Sequence, residues 1–192
     1  MARQYFNAQQ VDSLVVAASI TPTTTRTVLF SVTQAPLYFP IGNGASAPSA
    51  GQVFRFAMGG LITTPTTGTL IIDPLMGLTT AGTSMGVSPA QTVPSTALTN
   101  AAWRLEGDLI FRSISPTATT STVWCCGTFS SQGVLATAGS AFVIPFSSAA
   151  AVSVDTTGTG SANTFGALNF AFTFSVTGAT ISAQYTSFQS LN

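Results

Sequence analysis

The sequence contains no histidine and no lysine, and only 5% of its residues are charged, against about 25% in an average soluble protein. Without histidine, Ser-His and Cys-His nucleophile systems are excluded, and the commonest metal ligand is missing. We therefore expect a non-enzymatic protein without cofactor or metal. The ten charged residues are Arg3, Arg26, Arg55, Arg104, Arg112, Asp12, Asp73, Glu106, Asp108 and Asp155.

The formal net charge is zero, and the five arginines are scattered along the chain. Nothing in this distribution forms a basic patch, so nucleic acid and anionic lipid are not expected as partners. A charge-poor surface favours association. Two explanations stay open: serine and threonine hydroxyls solvate the surface instead, or much of the surface is buried against other subunits.

Long hydrophobic runs are also absent. The N-terminal segment MARQYFNAQQ has no apolar core of the length that a signal peptide needs, and no window holds 18 uninterrupted apolar residues. We therefore expect a soluble protein made in a cytoplasm, without a membrane partner.

Cysteine occurs at only two positions, Cys125 and Cys126, which are adjacent. Neighbouring Cα atoms lie about 3.8 Å apart, which is below the usual disulfide range, and on a strand the two side chains point to opposite faces. The prediction is therefore two buried free thiols. Two thiols without histidine do not make a metal site.

The residues that are present favour strands. Threonine, valine, isoleucine and phenylalanine abound, and glycine and proline recur as turn signals between short alternating runs. This pattern indicates an all-β sandwich or barrel. We read Gly59-Gly60 and Gly42-Asn43-Gly44 as turns and not as phosphate loops, and the phenylalanines as core side chains. We expect Asp73 and Asp155 to end strands and cap turns.

The clearest strand covers residues 168–176. Leu168, Phe170, Phe172, Phe174 and Val176 share one face, which predicts a half-buried strand. Ile181, Ala183 and Tyr185 continue the alternation after a turn at Thr177-Gly178, so the two segments are predicted to form an antiparallel hairpin.

Residues 103–114 form a second alternating strand with Trp103 and Leu105 on its apolar face. The opposite face carries Arg104, Glu106, Asp108 and Arg112. Glu106 and Asp108 are the one carboxylate pair in the chain that resembles a glycosidase pair. The alternative, which we favour, is a strand face that is either solvated or neutralised by the arginines of the same strand.

Six further strands are predicted, and three segments have either a strand or an irregular structure, giving eight to ten strands in all. Residues 1–25 are either an N-terminal arm or a first edge strand, within which Leu14–Ile20 is the apolar run, and residues 26–192 are one domain. Residues 78–97 and 130–140 are loops or short edge strands. The further strands are Thr27–Val32, Val53–Met58, Thr69–Asp73, Thr122–Phe129, Ala141–Phe146 and Ala151–Asp155.

Several segments together resemble the single-domain jelly-roll virion structural proteins of tailed bacteriophages. These segments are GQVFRFAMGG (residues 51–60), GTLIIDP (68–74) with Gly77, WRLEGDLIFRSI (103–114), SVDTT (153–157) and the closing FQSLN. The resemblance covers residues 26–192 and implies an antiparallel jelly-roll β-sandwich with an N-terminal arm. It carries no catalytic residues.

The resemblance further implies a trimeric capsid decoration protein that cements capsomers on the outer shell. The expected partners are two further copies of the chain and the major capsid protein, and the expected location is the virion, after assembly in the host cytoplasm. The alternative is a minor tail or fibre protein that binds a host surface glycan. In that case an exposed aromatic ring, that of Trp124, Tyr38 or Tyr185, would stack on the sugar.

Overall fold

The computed structural model of the protein describes residues 9–13, 18–21, 24–30, 37–38, 48–65, 68–77, 79–93, 97–114, 121–133, 141–154 and 167–191. The regular structure of these residues is all β, in two antiparallel sheets packed as a sandwich, which confirms the predicted fold class. Arg3, Asp155 and the turn predicted at Gly42–Gly44 lie outside the described residues, as do the side chains of Asp12 and Tyr38.

Fourteen strands are described, more than the eight to ten predicted, because seven of them have only two to five residues. The strands are β1 (Gln9–Ser13), β2 (Ala18–Ile20), β3 (Thr27–Val28), β4 (Leu37–Tyr38), β5 (Val53–Thr64), β6 (Thr69–Met76), β7 (Thr83–Ser84), β8 (Gln91–Thr92), β9 (Leu98–Ser113), β10 (Ser121–Gly133), β11 (Phe142–Ser147), β12 (Val152–Val154), β13 (Ala167–Phe174) and β14 (Thr180–Ser190).

Sheet A has the order β1-β14-β5-β9-β10-β11, with β2 also beside β14 and β12 also beside β10. Sheet B has the order β3-β13-β6-β7, with β4 also beside β13 and β8 also beside β6. Early and late strands therefore run side by side, β5 with β14 and β6 with β13, while β9, β10 and β11 follow one another. This pairing is compatible with a jelly roll, and the jelly-roll assignment itself stays a prediction.

The N-terminal strands β1 and β2 both pair with β14 and so lie at one edge of sheet A. Between the two alternatives for residues 1–25, this pairing favours edge strands for the described part. The domain boundary at residue 26 stays a prediction.

The core lies between the two sheets and is built mainly from strand positions of period two. In β9 the side chains of Trp103, Leu105, Leu109 and Phe111 are buried, while those of Arg104 and Glu106 are exposed, as the alternation predicts. Among the described phenylalanines only Phe142 is not fully buried, which confirms that these rings form core rather than an exposed stacking surface.

The predicted hairpin of residues 168–185 is wrong. β13 pairs with β3, β4 and β6 in sheet B, whereas β14 pairs with β1, β2 and β5 in sheet A. The turn around Gly178, whose φ is 84°, therefore carries the chain from one sheet to the other. Alternation reports the faces of a strand and not its neighbours, so it did not identify this crossing.

The prediction that β13 is half-buried is also wrong, because both of its faces are covered. Leu168 and Phe170 point into the core, and Asn169 and Ala171 on the opposite face are buried as well. The amide of Asn169 accounts for its burial: Nδ2 donates to the Phe30 carbonyl over 2.9 Å, and Oδ1 accepts from the Phe30 and Phe170 amides.

The turn predicted at Gly59-Gly60 is wrong, because both glycines lie inside β5. Two loop predictions have different outcomes. Residues 79–93 contain the short strands β7 and β8, in line with the edge-strand alternative. Residues 130–133 belong to β10, which is longer than expected and pairs with β9 as far as Gly133. The remaining residues of that predicted loop, 134–140, lie outside the described part.

Candidate functional site

The predicted carboxylate pair lies on the outer face of sheet A, and each carboxylate has an arginine partner. Arg104 Nη2 lies 2.7 Å from Glu106 Oε2. Arg55, which β5 presents opposite Asp108, donates from Nε over 2.9 Å and from Nη2 over 3.3 Å to the two carboxylate oxygens. This two-point contact raises the pKa of Arg55. The arrangement favours the Arg-paired interpretation over a catalytic pair.

The partners differ in one respect from the prediction. Arg104 is paired as expected, but Asp108 takes Arg55 from the neighbouring strand and not Arg112 from its own. The alternating run VFRFAM indicates that Arg55 points outward. The sequence does not show, however, that β5 pairs with β9 in the register that sets Arg55 opposite Asp108.

The two cysteines are free and point to opposite sides of β10, as predicted, but the prediction that both thiols are buried is wrong for Cys126. Cys125 is buried in the core, and burial raises its thiol pKa. Cys126 is only half-buried on the outer face opposite Asp108, and burial together with the Asp108 charge raises its thiol pKa. Thiols with raised pKa values are poor nucleophiles at neutral pH.

Asp73 does not cap a turn, which corrects the prediction. It lies inside β6, where it is 5% exposed, and its carboxylate accepts a hydrogen bond from Ser84 Oγ over 2.5 Å. Arg26 Nε lies 3.1 Å from Asp73 Oδ2, at an angle that makes an ion pair without a hydrogen bond. Burial raises the pKa of Asp73, and the Ser84 hydroxyl and the Arg26 charge only partly oppose this.

Within the described residues no three histidine, cysteine, aspartate or glutamate side chains lie close enough to hold a metal ion. The same part of the chain includes no helix with the length and hydropathy of a membrane span.

The aromatic residues proposed for glycan stacking are not equivalent. Tyr185 is 47% exposed, and its ring covers Gly59 of β5, with Cζ only 2.9 Å from the position that a Cβ would take there. Trp124 is half-buried, and its indole N–H donates to the Ser148 carbonyl over 3.0 Å. For Tyr38 the structure describes only the backbone, which lies in β4.

A shallow, open depression of about 280 Å³ lies beside Trp124. Its described lining consists of Ile110 and Arg112 from β9, Trp124 from β10, and Ala151, which precedes β12. Ile110 and Trp124 are cross-strand partners, and Arg112 is an extra residue of β9 in a β-bulge, because Thr122 pairs with Ser113 and Val123 with Phe111. Sequence reasoning named Trp124 and Arg112 separately but not this depression.

Comparison of the chain with protein-family models, with curated proteins and with solved structures found no match.

Proposed function

We propose that this protein is a non-enzymatic structural subunit of a bacteriophage virion, a homotrimeric decoration protein that cements neighbouring capsomers on the outer shell. The observation that carries the proposal is that six of the seven charged side chains the structure describes face an opposite charge, while large apolar side chains stay exposed. Such a surface suits permanent contact with other protein chains.

Six of the ten charged residues form three ion pairs, Arg26–Asp73, Arg55–Asp108 and Arg104–Glu106. The pairs on sheet A are exposed, with 57% and 60% of the arginine side chains accessible, so each contributes little to the stability of the fold. Their main consequence is a surface with little net field, which neither steers a charged ligand nor repels an identical copy.

Exposed apolar side chains accompany these pairs on sheet A. Tyr185 and Leu61 lie on the adjacent strands β14 and β5, where they are 47% and 39% exposed, and Val143 on β11 is 58% exposed. Burying such side chains against a neighbouring chain would stabilise an assembly by about 1.5 to 3 kcal/mol for each residue that becomes fully covered. We therefore place the intersubunit contacts on this face.

An enzymatic role has less support. The one carboxylate pair that resembles a glycosidase pair is engaged by Arg104 and Arg55, and the sequence has no histidine to act as a general base. Both thiols have raised pKa values, which disfavours nucleophilic catalysis by cysteine.

The alternative, a minor tail or fibre protein that binds a host glycan, is supported by the exposed ring of Tyr185 and by the depression beside Trp124. Both functions place the chain in a virion, but at different positions. Immunogold labelling of phage particles from cells that produce the chain separates them. Labels distributed over the head support the decoration role, labels at the tail tip support the alternative, and unlabelled particles contradict both.

A further inference from the structure

The depression beside Trp124 has three properties that are typical of a ligand site and that apolar contacts between subunits would not need. It is concave, it has an aromatic wall, and it holds an arginine that has no carboxylate partner among the described residues. We propose that this depression is a binding site for an acidic sugar, with the pyranose ring against the indole of Trp124 and the carboxylate on the guanidinium of Arg112. This inference deepens the glycan-binding alternative by naming the class of sugar, and it does not depend on the decoration role.

The aromatic wall is fixed in place. The indole N–H of Trp124 is engaged by the Ser148 carbonyl over 3.0 Å, and the ring lies beside Ile110 on the neighbouring strand. Because the polar edge of the ring is already bonded, the surface that Trp124 offers to a ligand is carbon. A half-buried aromatic ring of this kind contributes contact area at a low cost in conformational entropy. The C–H face of a pyranose ring complements it.

Arg112 supplies the charge. Among the arginines whose side chains the structure describes, Arg26, Arg55 and Arg104 each face a carboxylate within 3.1 Å, and Arg112 is the one without an ion pair. Its side chain is exposed at the rim of the depression. A guanidinium with free donors forms two parallel hydrogen bonds with a carboxylate, so an anionic ligand is favoured over a neutral one.

The local backbone departs from the regular sheet at this position. The β-bulge at Arg112 interrupts the pairing of β9 with β10, which is otherwise continuous from Trp103 to Phe111. Bulges redirect a side chain away from the regular pleat and are common beside functional sites. Arg112 therefore differs in its backbone setting from Arg104, which lies in the regular part of the same strand and is paired with Glu106.

The size of the depression limits the ligand. A volume of about 280 Å³ lies just below the usual range for small-molecule sites, about 300 to 1,000 Å³, and so suits nothing larger than a single sugar residue. Nucleic acid is a poorer candidate, because one arginine does not neutralise a phosphate backbone. A uronic acid residue, free or within a polysaccharide, has both the apolar ring face and the carboxylate.

The test is a titration of the intact protein with D-glucuronic acid, with D-glucose as the neutral comparison, followed by ¹⁵N-¹H NMR. The chain has two tryptophans, so two indole cross-peaks are expected, and Trp103 is buried with its N–H on the Ser182 carbonyl. Glucuronate should move the Trp124 peak alone, with a Kd on the order of 1 mM. Glucose should bind about tenfold more weakly or worse, because it lacks the charged partner.

Two variants make the test specific. Arg112→Gln should reduce glucuronate affinity about tenfold or more and bring it near that of glucose, while Trp124→Phe should weaken both sugars. The matched control is Arg104→Gln, which removes an exposed arginine from the same strand face and should leave glucuronate binding unchanged. Arg112 is exposed, so its replacement should not affect folding, which a thermal melt checks.

Three results would overturn the proposal: equal affinity for glucuronate and glucose, unchanged affinity in Arg112→Gln, or absence of any shift of the Trp124 peak. If glucuronate fails to bind and Arg112→Gln instead lowers the oligomeric mass, Arg112 contacts a neighbouring chain. That outcome would contradict the sugar site and leave the structural role intact.

Discussion

The rings of Phe56 and Phe146 stack almost parallel, with centroids 6.3 Å apart, although two strands of sheet A separate them. Phe56 lies on β5 and Phe146 on β11, and the positions between them in the same row are Gly107 on β9 and Gly127 on β10. Because neither glycine has a side chain, the two rings extend over the backbone and meet. The pair of glycines is therefore part of the core packing.

Replacing Gly107 by alanine should destabilise the sandwich by about 2 to 3 kcal/mol, as expected when a packed core receives an extra methyl group. A Cβ at this position would lie 2.6 Å from Cζ of Phe56 and would also meet the backbone carbonyl of Cys126. A side-chain ring shifts more easily than a strand backbone, so the contact with the Cys126 carbonyl is the harder one to relieve. Urea unfolding of the purified variant measures the change in the free energy of unfolding.

Gly127→Ala should have a similar effect, because its Cβ would meet Cζ of Phe146 at 2.6 Å. Thr128→Ala, one residue along the same strand on the outer face, is the matched control and should change stability by no more than about 0.5 kcal/mol. Equal stability of Gly107→Ala and Thr128→Ala would show that the two glycines are not needed for the packing of the rings.

Asn169 should be among the most sensitive polar residues of the fold. Its replacement by leucine would leave the Phe30 carbonyl and the Phe30 and Phe170 amides without the partners that the Asn169 side chain provides, in a region closed to water. Leaving buried backbone groups unpaired costs about 1 to 3 kcal/mol for each group, so a loss of about 3 kcal/mol or more is expected. Urea unfolding again gives the value.

Thr173→Val is the control for this change, since Thr173 lies on the same face of β13 but is only half-buried. A loss below about 1 kcal/mol is expected there. Comparable losses in both variants would mean that the face of β13 tolerates polar-to-apolar changes uniformly, and the special position of Asn169 would be refuted.

The stability of the protein should depend on the protonation of Asp73. Burial raises its pKa in the folded state above the ordinary value of about 4, so folding favours the protonated form. The stability contributed by this shift is fully present below the unfolded pKa and is lost as the pH rises through the raised folded pKa. The free energy of unfolding of the wild type relative to Asp73→Asn should therefore fall as the pH rises from 3 to neutrality.

Ser84→Ala sharpens this test, because the Ser84 hydroxyl donates to Asp73 and holds the pKa of the carboxyl lower than burial alone would. Its removal should raise the Asp73 pKa further and move the loss of stability to higher pH. Denaturation curves collected at several pH values provide the comparison. A wild-type advantage over Asp73→Asn that instead grows with pH would show that the ion pair with Arg26 outweighs burial.

The sequence predicted the faces of individual strands better than the neighbours of those strands. The burial of Trp103 and Leu105 and the exposure of Arg104 followed from period-two alternation within one segment. The crossing of β13 and β14 into different sheets did not follow, because pairing depends on contacts between residues far apart in the chain. The same reason explains why β13 was expected to have one solvated face.

The candidate site was predictable only in part, for a related reason. Pairing of Glu106 with Arg104 is a local event on one strand, and it was expected. The partner of Asp108 comes from β5, and the depression needs β9, β10 and the segment before β12 together with a β-bulge. Neither the register nor the bulge leaves a clear periodic signal in the sequence.

The central claim is that the protein acts by assembling as a homotrimer through its charge-poor surface, and the mass of the purified protein in solution tests it most directly. Multi-angle light scattering at micromolar concentration should give three times the chain mass of 19.6 kDa, independent of dilution and little affected by salt, because the contacts are apolar and hydrogen-bonded. A stable 19.6 kDa monomer under the same conditions would contradict the account.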